Sequence, residues 1–87
     1  MQYKIEFTLQ AEEDLARVDK TIAQNIANKI DWLSQNIENI NPAQLKGKFK
    51  GKCKLRVGDW RVIYSFEYSS QLIIIYAVRH RREVYKI

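Results

Sequence analysis

The chemistry-bearing residues of this chain crowd into two stretches of its second half. Lys46, Lys48, Lys50, Lys52, Lys54, Arg56 and Arg61 come close together, with a single acid, Asp59, among them. Arg79, Arg81, Arg82 and Lys86 follow near the end, beside Glu83. At strand spacing, Lys52, Lys54 and Arg56 share one face, and Cys53, Leu55 and Val57 take the other. Such groups suit a phosphodiester. Cutting RNA requires deprotonation of a ribose 2′-OH, stabilisation of added negative charge at phosphorus, and neutralisation of the leaving 5′-oxygen. Arginine gives fixed, bidentate phosphate contacts. A lysine crowded by like charges has a lowered pKa and can serve as the base. Tyr85 or Trp60 can stack on an unpaired base. Cationic faces also bind nucleic acid without cutting it, so residue types alone leave both outcomes open.

Most of the acids lie elsewhere. Glu6, Glu12, Glu13, Asp14, Asp19, Asp31 and Glu38 belong to the first half, while the whole chain carries a net charge of +5. This asymmetry predicts a polyanion-binding surface in the C-terminal half. The plain alternative is a solvated basic face with no ligand, and charge by itself does not separate the two.

Other chemistries find little support. There is no Gly-rich phosphate loop, and no His and Cys cluster at metal spacing. His80 is the only histidine, so a histidine pair is excluded. A Cys53–His80 couple is disfavoured because Cys53 alternates with apolar partners, where cysteine is usually structural. One cysteine also excludes an internal disulfide and suits a reducing, cytoplasmic setting. No secretory signal is evident, and no apolar run approaches the ~20 residues of a membrane span. The expectation is a protein with no metal, no cofactor and no membrane association.

The elements that must position these groups fit one domain over residues 1–87. Tyr3, Ile5 and Phe7 alternate with polar residues, as in a half-buried strand. Thr8 is placed to cap a short helix with Ala11, Leu15 and Val18, its first turns carrying Glu12, Glu13 and Asp14. Asp19 caps a second helix, whose stripe is Ile22, Ile26, Ile30, Leu33 and Ile37. Trp32, off the stripe's centre, is expected to be partly in the core. Residues 36–51 read as a loop, with a turn of helix near Pro42 to Leu45. Cys53 to Val57 and Trp60 to Phe66 form a hairpin across Gly58-Asp59. A turn at Tyr68-Ser69-Ser70 leads to Leu72–Val78, an apolar run expected to be a central strand covered on both faces. The prediction is an α+β domain of order β-α-α-β-β-β, with an antiparallel sheet packed against two N-terminal helices.

Two stretches then carry a resemblance. Leu55-Arg56-Val57-Gly58-Asp59-Trp60-Arg61-Val62-Ile63-Tyr64, followed by Val78-Arg79-His80-Arg81-Arg82-Glu83-Val84-Tyr85, resembles the two hallmark segments of the RelE family, and Leu45-Lys46-Gly47 is similar to a third. The resemblance implies a toxin of a type II toxin–antitoxin system. Such a toxin enters the ribosomal A site, cuts messenger RNA by 2′-OH attack without a metal, and is wrapped by a RelB-like antitoxin. It implies catalytic roles for Lys52 and Lys54, for Arg61 at the scissile phosphate, for Arg81 at the leaving group, and for Tyr85 on the substrate base. Lys46, Lys48, Lys50, Arg56, Arg79, His80 and Arg82 would contact mRNA or 16S ribosomal RNA. Two departures stand out: Trp60 occupies a usual Tyr position, and Arg79 replaces a usual Gly. Gly58 and Asp59 read as turn formers, Arg56 and Glu83 as a structural ion pair, and Tyr64 and Tyr76 as core or sheet residues. Two competing readings share the scaffold. One is a ParE-like toxin that poisons DNA gyrase without cutting RNA. The other is an inactive module kept for its antitoxin complex. The joint presence of Lys54, Arg61, Arg81 and Tyr85 favours the nuclease.

Overall fold

The computed structural model describes residues 2–40, 43–44 and 51–85, with backbone alone for 43–44 and 84–85. The elements run β1 (Lys4–Phe7), α1 (Leu9–Arg17), α2 (Lys20–Asn36), a 3-10 turn (Ile37–Asn39), β2 (Ala43–Gln44), β3 (Cys53–Val57), β4 (Trp60–Glu67), β5 (Leu72–His80) and α3 (Arg81–Tyr85). Both predicted caps form. Thr8 Oγ1 accepts from the Ala11 amide at 3.1 Å, and Asp19 Oδ2 from the Thr21 amide at 3.2 Å. Each satisfies an amide that the first helical turn leaves without a partner.

The strands form one sheet in the order β1-β5-β4-β3-β2. The expected antiparallel arrangement holds from β2 to β5, but β1 runs parallel to β5, making the sheet mixed. Alternation in a sequence encodes which face is buried, not the direction of pairing. Here direction follows from α1. The chain leaves β1 at Thr8, whose amide donates to Ile75 O at 3.0 Å, and whose hydroxyl donates to Tyr76 O at 3.0 Å. With β1 parallel to β5, α1 continues along the same edge of β5 and serves its remaining backbone groups.

Helices α1 and α2 cover one sheet face. Ala11, Ile26, Ile30, Leu33 and Ile37 pack on Cys53, Leu55, Val62, Tyr64, Ile73, Ile75 and Val78, all buried. Ile22 joins from the rim, so the predicted α2 stripe is the observed one. Trp32 is not part of it and is 40% exposed. One residue before Leu33, it points about 100° around the helix from the buried face. The expected helical turn near Pro42 to Leu45 is also corrected at its centre. Ala43–Gln44 is strand, pairing with Lys54 and Cys53, which gives the outer edge of β3 a partner. Pro42 and Leu45 themselves lie outside the described residues.

β5 is central, between β1 and β4, as its apolar run predicts. Its two faces differ. Ile73, Ile75 and Val78 are buried beneath the helices, while Ile74 and Tyr76 on the far face are half-buried. Between Ile63 and Tyr64 the β4–β5 register shifts, pairing Ile63 with Ala77 and Tyr64 with Ile75. Tyr76 is the extra residue of this bulge. Bulges re-aim the side chains that follow them. Strict alternation would put Arg79 on the helix-covered face with Ile73 and Ile75. After the bulge Val78 turns inward, and Arg79 stands opposite Arg61 on the far face.

Candidate nucleic-acid interface

The register defines the far face residue by residue. Arg56 is opposite Arg61, and Arg61 is opposite Arg79, so three arginines form a row across β3, β4 and β5. Lys54, paired with Ile63, begins the next row. Lys52 precedes β3, and its Nζ lies 4.5 Å from the centre of the Tyr76 ring. Tyr76 OH accepts from Ser65 Oγ at 3.3 Å, which fixes the phenol on this face. Ile63 and Ala77 form a small apolar floor between the cations.

Arg61 departs from the exposed, phosphate-contacting position that the resemblance implies. It is 5% exposed, and its Nη1 donates to Gly58 O at 2.9 Å and Trp60 O at 2.8 Å. The Gly58 carbonyl lies in the turn, outside the β3–β4 ladder, and the guanidinium supplies it with a donor. Gly58 has φ +59, matching a hairpin turn with glycine at its first central position. Asp59 does more than form the turn. Its carbonyl accepts the Arg81 amide at 2.8 Å, and its carboxylate lies 3.9 Å from Arg81 Nε. Arg61 and Arg81 are therefore both tied to the Gly58–Trp60 turn. Arg81 keeps about half of its side-chain surface exposed.

The last stretch folds as a helix, an element that the predicted order β-α-α-β-β-β does not contain. His80 and Glu83 start it reciprocally: His80 Nδ1 accepts from the Arg82 amide at 3.3 Å, and Glu83 Oε1 from the His80 amide at 3.4 Å. This is the logic of a capping box, with a ring nitrogen in place of a hydroxyl. Register puts His80 opposite Trp60, on the helix-covered side, with the two rings edge to face at 5.4 Å. His80 is thus not on the cationic face. The expected Arg56–Glu83 pair is not formed either. Glu83 lies 4.0 Å from Arg79, four residues earlier at the end of β5. Cys53 is buried at the Tyr64 end of β4, four residues from the Trp60–His80 pair, or roughly 13 Å. Burial raises its thiol pKa. Arg82 is exposed on α3, which Tyr85 closes. Lys46, Lys48, Lys50 and the side chain of Tyr85 lie outside what the structure describes.

Three residues that read from the sequence as core, sheet or first-turn residues take on further roles in the structure. Tyr76 lies on the cationic face, where alternation from Ile74 already puts it, and the bulge that follows brings Ala77 and Arg79 to the same face. Asp14 is 4% exposed and accepts from the Val78 amide and from Gln10. Its signal was legible, because Asp14 shares the spacing of Ala11, Leu15 and Val18. Trp32 is the third, described below. Among the described residues no three His, Cys, Asp or Glu side chains cluster as a metal site would need. Nor, among them, is any helix long and apolar enough to cross a membrane.

Fold and surface together define a small α+β domain with one helix-covered and one cationic sheet face. The profile of the family described as the ParE toxin of the type II toxin–antitoxin system parDE matches residues 5–85. A protein of Escherichia coli described as a RelE-like toxin is 32% identical over 90 residues, spanning 100% of this chain and 94% of that protein. Two solved complexes share the fold. The toxin–antitoxin complex RelBE2 from Mycobacterium tuberculosis superposes with a TM-score of 0.81 at 23% identity, covering 93% of each chain. The archaeal RelE–RelB complex from Pyrococcus horikoshii gives 0.74 at 25% identity, covering 93% of this chain and 97% of the other. The chain belongs to the RelE/ParE superfamily of type II toxin–antitoxin toxins.

Proposed function

We propose that this toxin is a ribosome-dependent endoribonuclease that cuts messenger RNA in the A site by attack of a 2′-OH on its own phosphate. The observation that carries this reading is the register of the far face. Lys54, Arg56, Arg61 and Arg79 share it, Lys52 lies over Tyr76 on it, and Arg81 is tied to the turn that Arg61 also holds. In this reading, a phosphate on the cationic face has its growing negative charge met by fixed cations. Lys52 or Lys54 takes the 2′-OH proton, Arg81 neutralises the leaving 5′-oxygen, and Tyr85 orients the base. Arg61 acts from its anchored position, holding the turn that carries Arg81. No cofactor is assigned a role. The flanking cations Lys46, Lys48, Lys50 and Arg82 contact mRNA or 16S ribosomal RNA, and a RelB-like antitoxin, as in the RelB–RelE complexes of the structural relatives, inhibits the toxin in the cytoplasm.

A second reading is favoured by two observations. The matching family profile is that of ParE, and Arg61 is buried. In that reading the toxin blocks DNA gyrase and cuts no RNA. Primer extension on a message in translating ribosomes decides between them. Cuts at fixed codon positions support the nuclease. Intact message together with blocked gyrase supercoiling supports the second reading.

A further inference from the structure

A groove of about 430 Å³ opens between α2 and the end of the β3–β4 hairpin, away from the floor of the cationic face. Asn25, Asn28, Lys29 and Trp32 of α2 form one wall, and Arg56 and Val57 the other. Spaced by three and four residues, the α2 members lie on one side of the helix. Among the described residues, no carboxylate lines this groove. Trp32 contributes a large exposed indole, and Lys29 Nζ sits 3.9 Å from its ring centre. Asn28 Oδ1 accepts from Gln24, which leaves its amide nitrogen as a donor for a ligand.

We propose that this groove is a second nucleotide subsite, in which one unpaired base of single-stranded RNA stacks on Trp32. The inference rests on the nuclease reading above and extends it to a neighbouring nucleotide. Three observations favour RNA over a protein segment. An exposed indole is a sequence-tolerant stacking surface for any base. Two side-chain amides beside it offer the donors and acceptors that a base edge presents. Arg56 belongs both to this groove and to the arginine row of the far face. It lies two residues along β3 from Lys54, roughly 7 Å away. A strand whose scissile phosphate rests on the far face passes Arg56 and enters the groove, whose lining, among the described residues, includes no acid. Lys29 moves from the indole to the phosphate of the incoming nucleotide.

The test uses the full chain and a 2′-O-methyl hexauridylate, which lacks the free 2′-OH and so is not cut by the proposed chemistry. Wild-type tryptophan emission should quench saturably as the oligonucleotide binds. In Trp32→Leu the quench should vanish and Kd rise about 5- to 100-fold, the worth of one stacked base. Lys29→Glu should weaken binding and lower the salt slope by about one. Trp32 is exposed, so circular dichroism should find both variants folded. Quenching that persists in Trp32→Leu arises at Trp60 and overturns the subsite. So does the absence of saturable quenching in the wild type, including the case in which a decaglutamate peptide quenches instead and marks a protein contact. Cutting by programmed ribosomes is measured separately. If the message stays intact while Trp32 is quenched by RNA, the nuclease reading fails and the subsite stands.

Discussion

The Asp14 carboxylate of α1 lies 3.6 Å from the Arg79 guanidinium at the end of β5. The same oxygen, Oδ2, accepts the Val78 amide at 2.9 Å. One buried acid thus caps the edge of β5 beyond the reach of β1 and holds the first cation of the C-terminal stretch. Arg79, standing where the family usually has glycine, makes sense in this light: the charge it adds already has a buried partner. Replacing Asp14 by Ala should destabilise the protein by about 2–4 kcal/mol, because it strands a buried amide and removes the acid facing Arg79. Urea unfolding should find a lower midpoint with an unchanged slope. Arg79→Ala should cost less, since about a quarter of its side chain is in water.

Arg61 and Arg81 should respond differently to truncation. Arg81 is exposed, so Arg81→Ala should change stability by no more than about 0.5 kcal/mol while lowering cleavage by about 10²-fold. Arg61→Ala removes donors from two turn carbonyls, and should cost about 1–3 kcal/mol as well as activity. Thermal melts of the two variants beside the ribosome assay separate the effects. Equal destabilisation would mean that Arg61 does not hold the turn.

The His80–Glu83 arrangement predicts that α3 depends on its first turn. His80→Ala and Glu83→Ala should each cost about 1 kcal/mol, the worth of a helix cap. The change should be local. Amide exchange should accelerate in residues 81–85 while the β4–β5 ladder stays protected.

Alkaline stability follows from Tyr64. Burial, then the nearby Cys53 and Tyr68, raise its phenol far above the ordinary value of 10.0. In the unfolded chain the phenol ionises near pH 10, while in the folded state it stays protonated. The raised pKa therefore contributes stability that is fully present below pH 10 and declines above it, by about 1.4 kcal/mol per pH unit. Unfolding free energies measured from pH 8 to 11 should fall along this limb, and Tyr64→Phe should flatten it.

Cys53, buried and with its pKa raised, should react slowly with iodoacetamide at pH 8 in the native protein and rapidly in urea. Rapid native labelling would place the thiol outside the core.

The sequence by itself determined the first strand, the two N-terminal helices and the three long strands that follow, with their inner faces, but neither the short strand β2 nor the helix α3. Thr8 and Asp19 announced their helices because a cap is a local hydrogen bond between neighbours. The α2 stripe from Ile22 to Ile37 and the alternation from Cys53 to Val57 announced their buried sides because periodicity is local geometry. Gly58-Asp59 announced the hairpin, and the hairpin alone is enough to set Arg56 against Arg61. Only the tertiary structure decided the rest. The direction of β1 depends on which edge of β5 is open, and no residue of β1 encodes that. The bulge at Tyr76 depends on the fit of β5 to β4, and it alone moves Arg79 to the cationic face. His80 became a helix cap, and Arg61 a buried clamp on its turn. The physical reason is that strand direction, register and the groups left open to a side chain are settled only when the sheet assembles, even where the final partner is a near neighbour, as for Arg61 and His80.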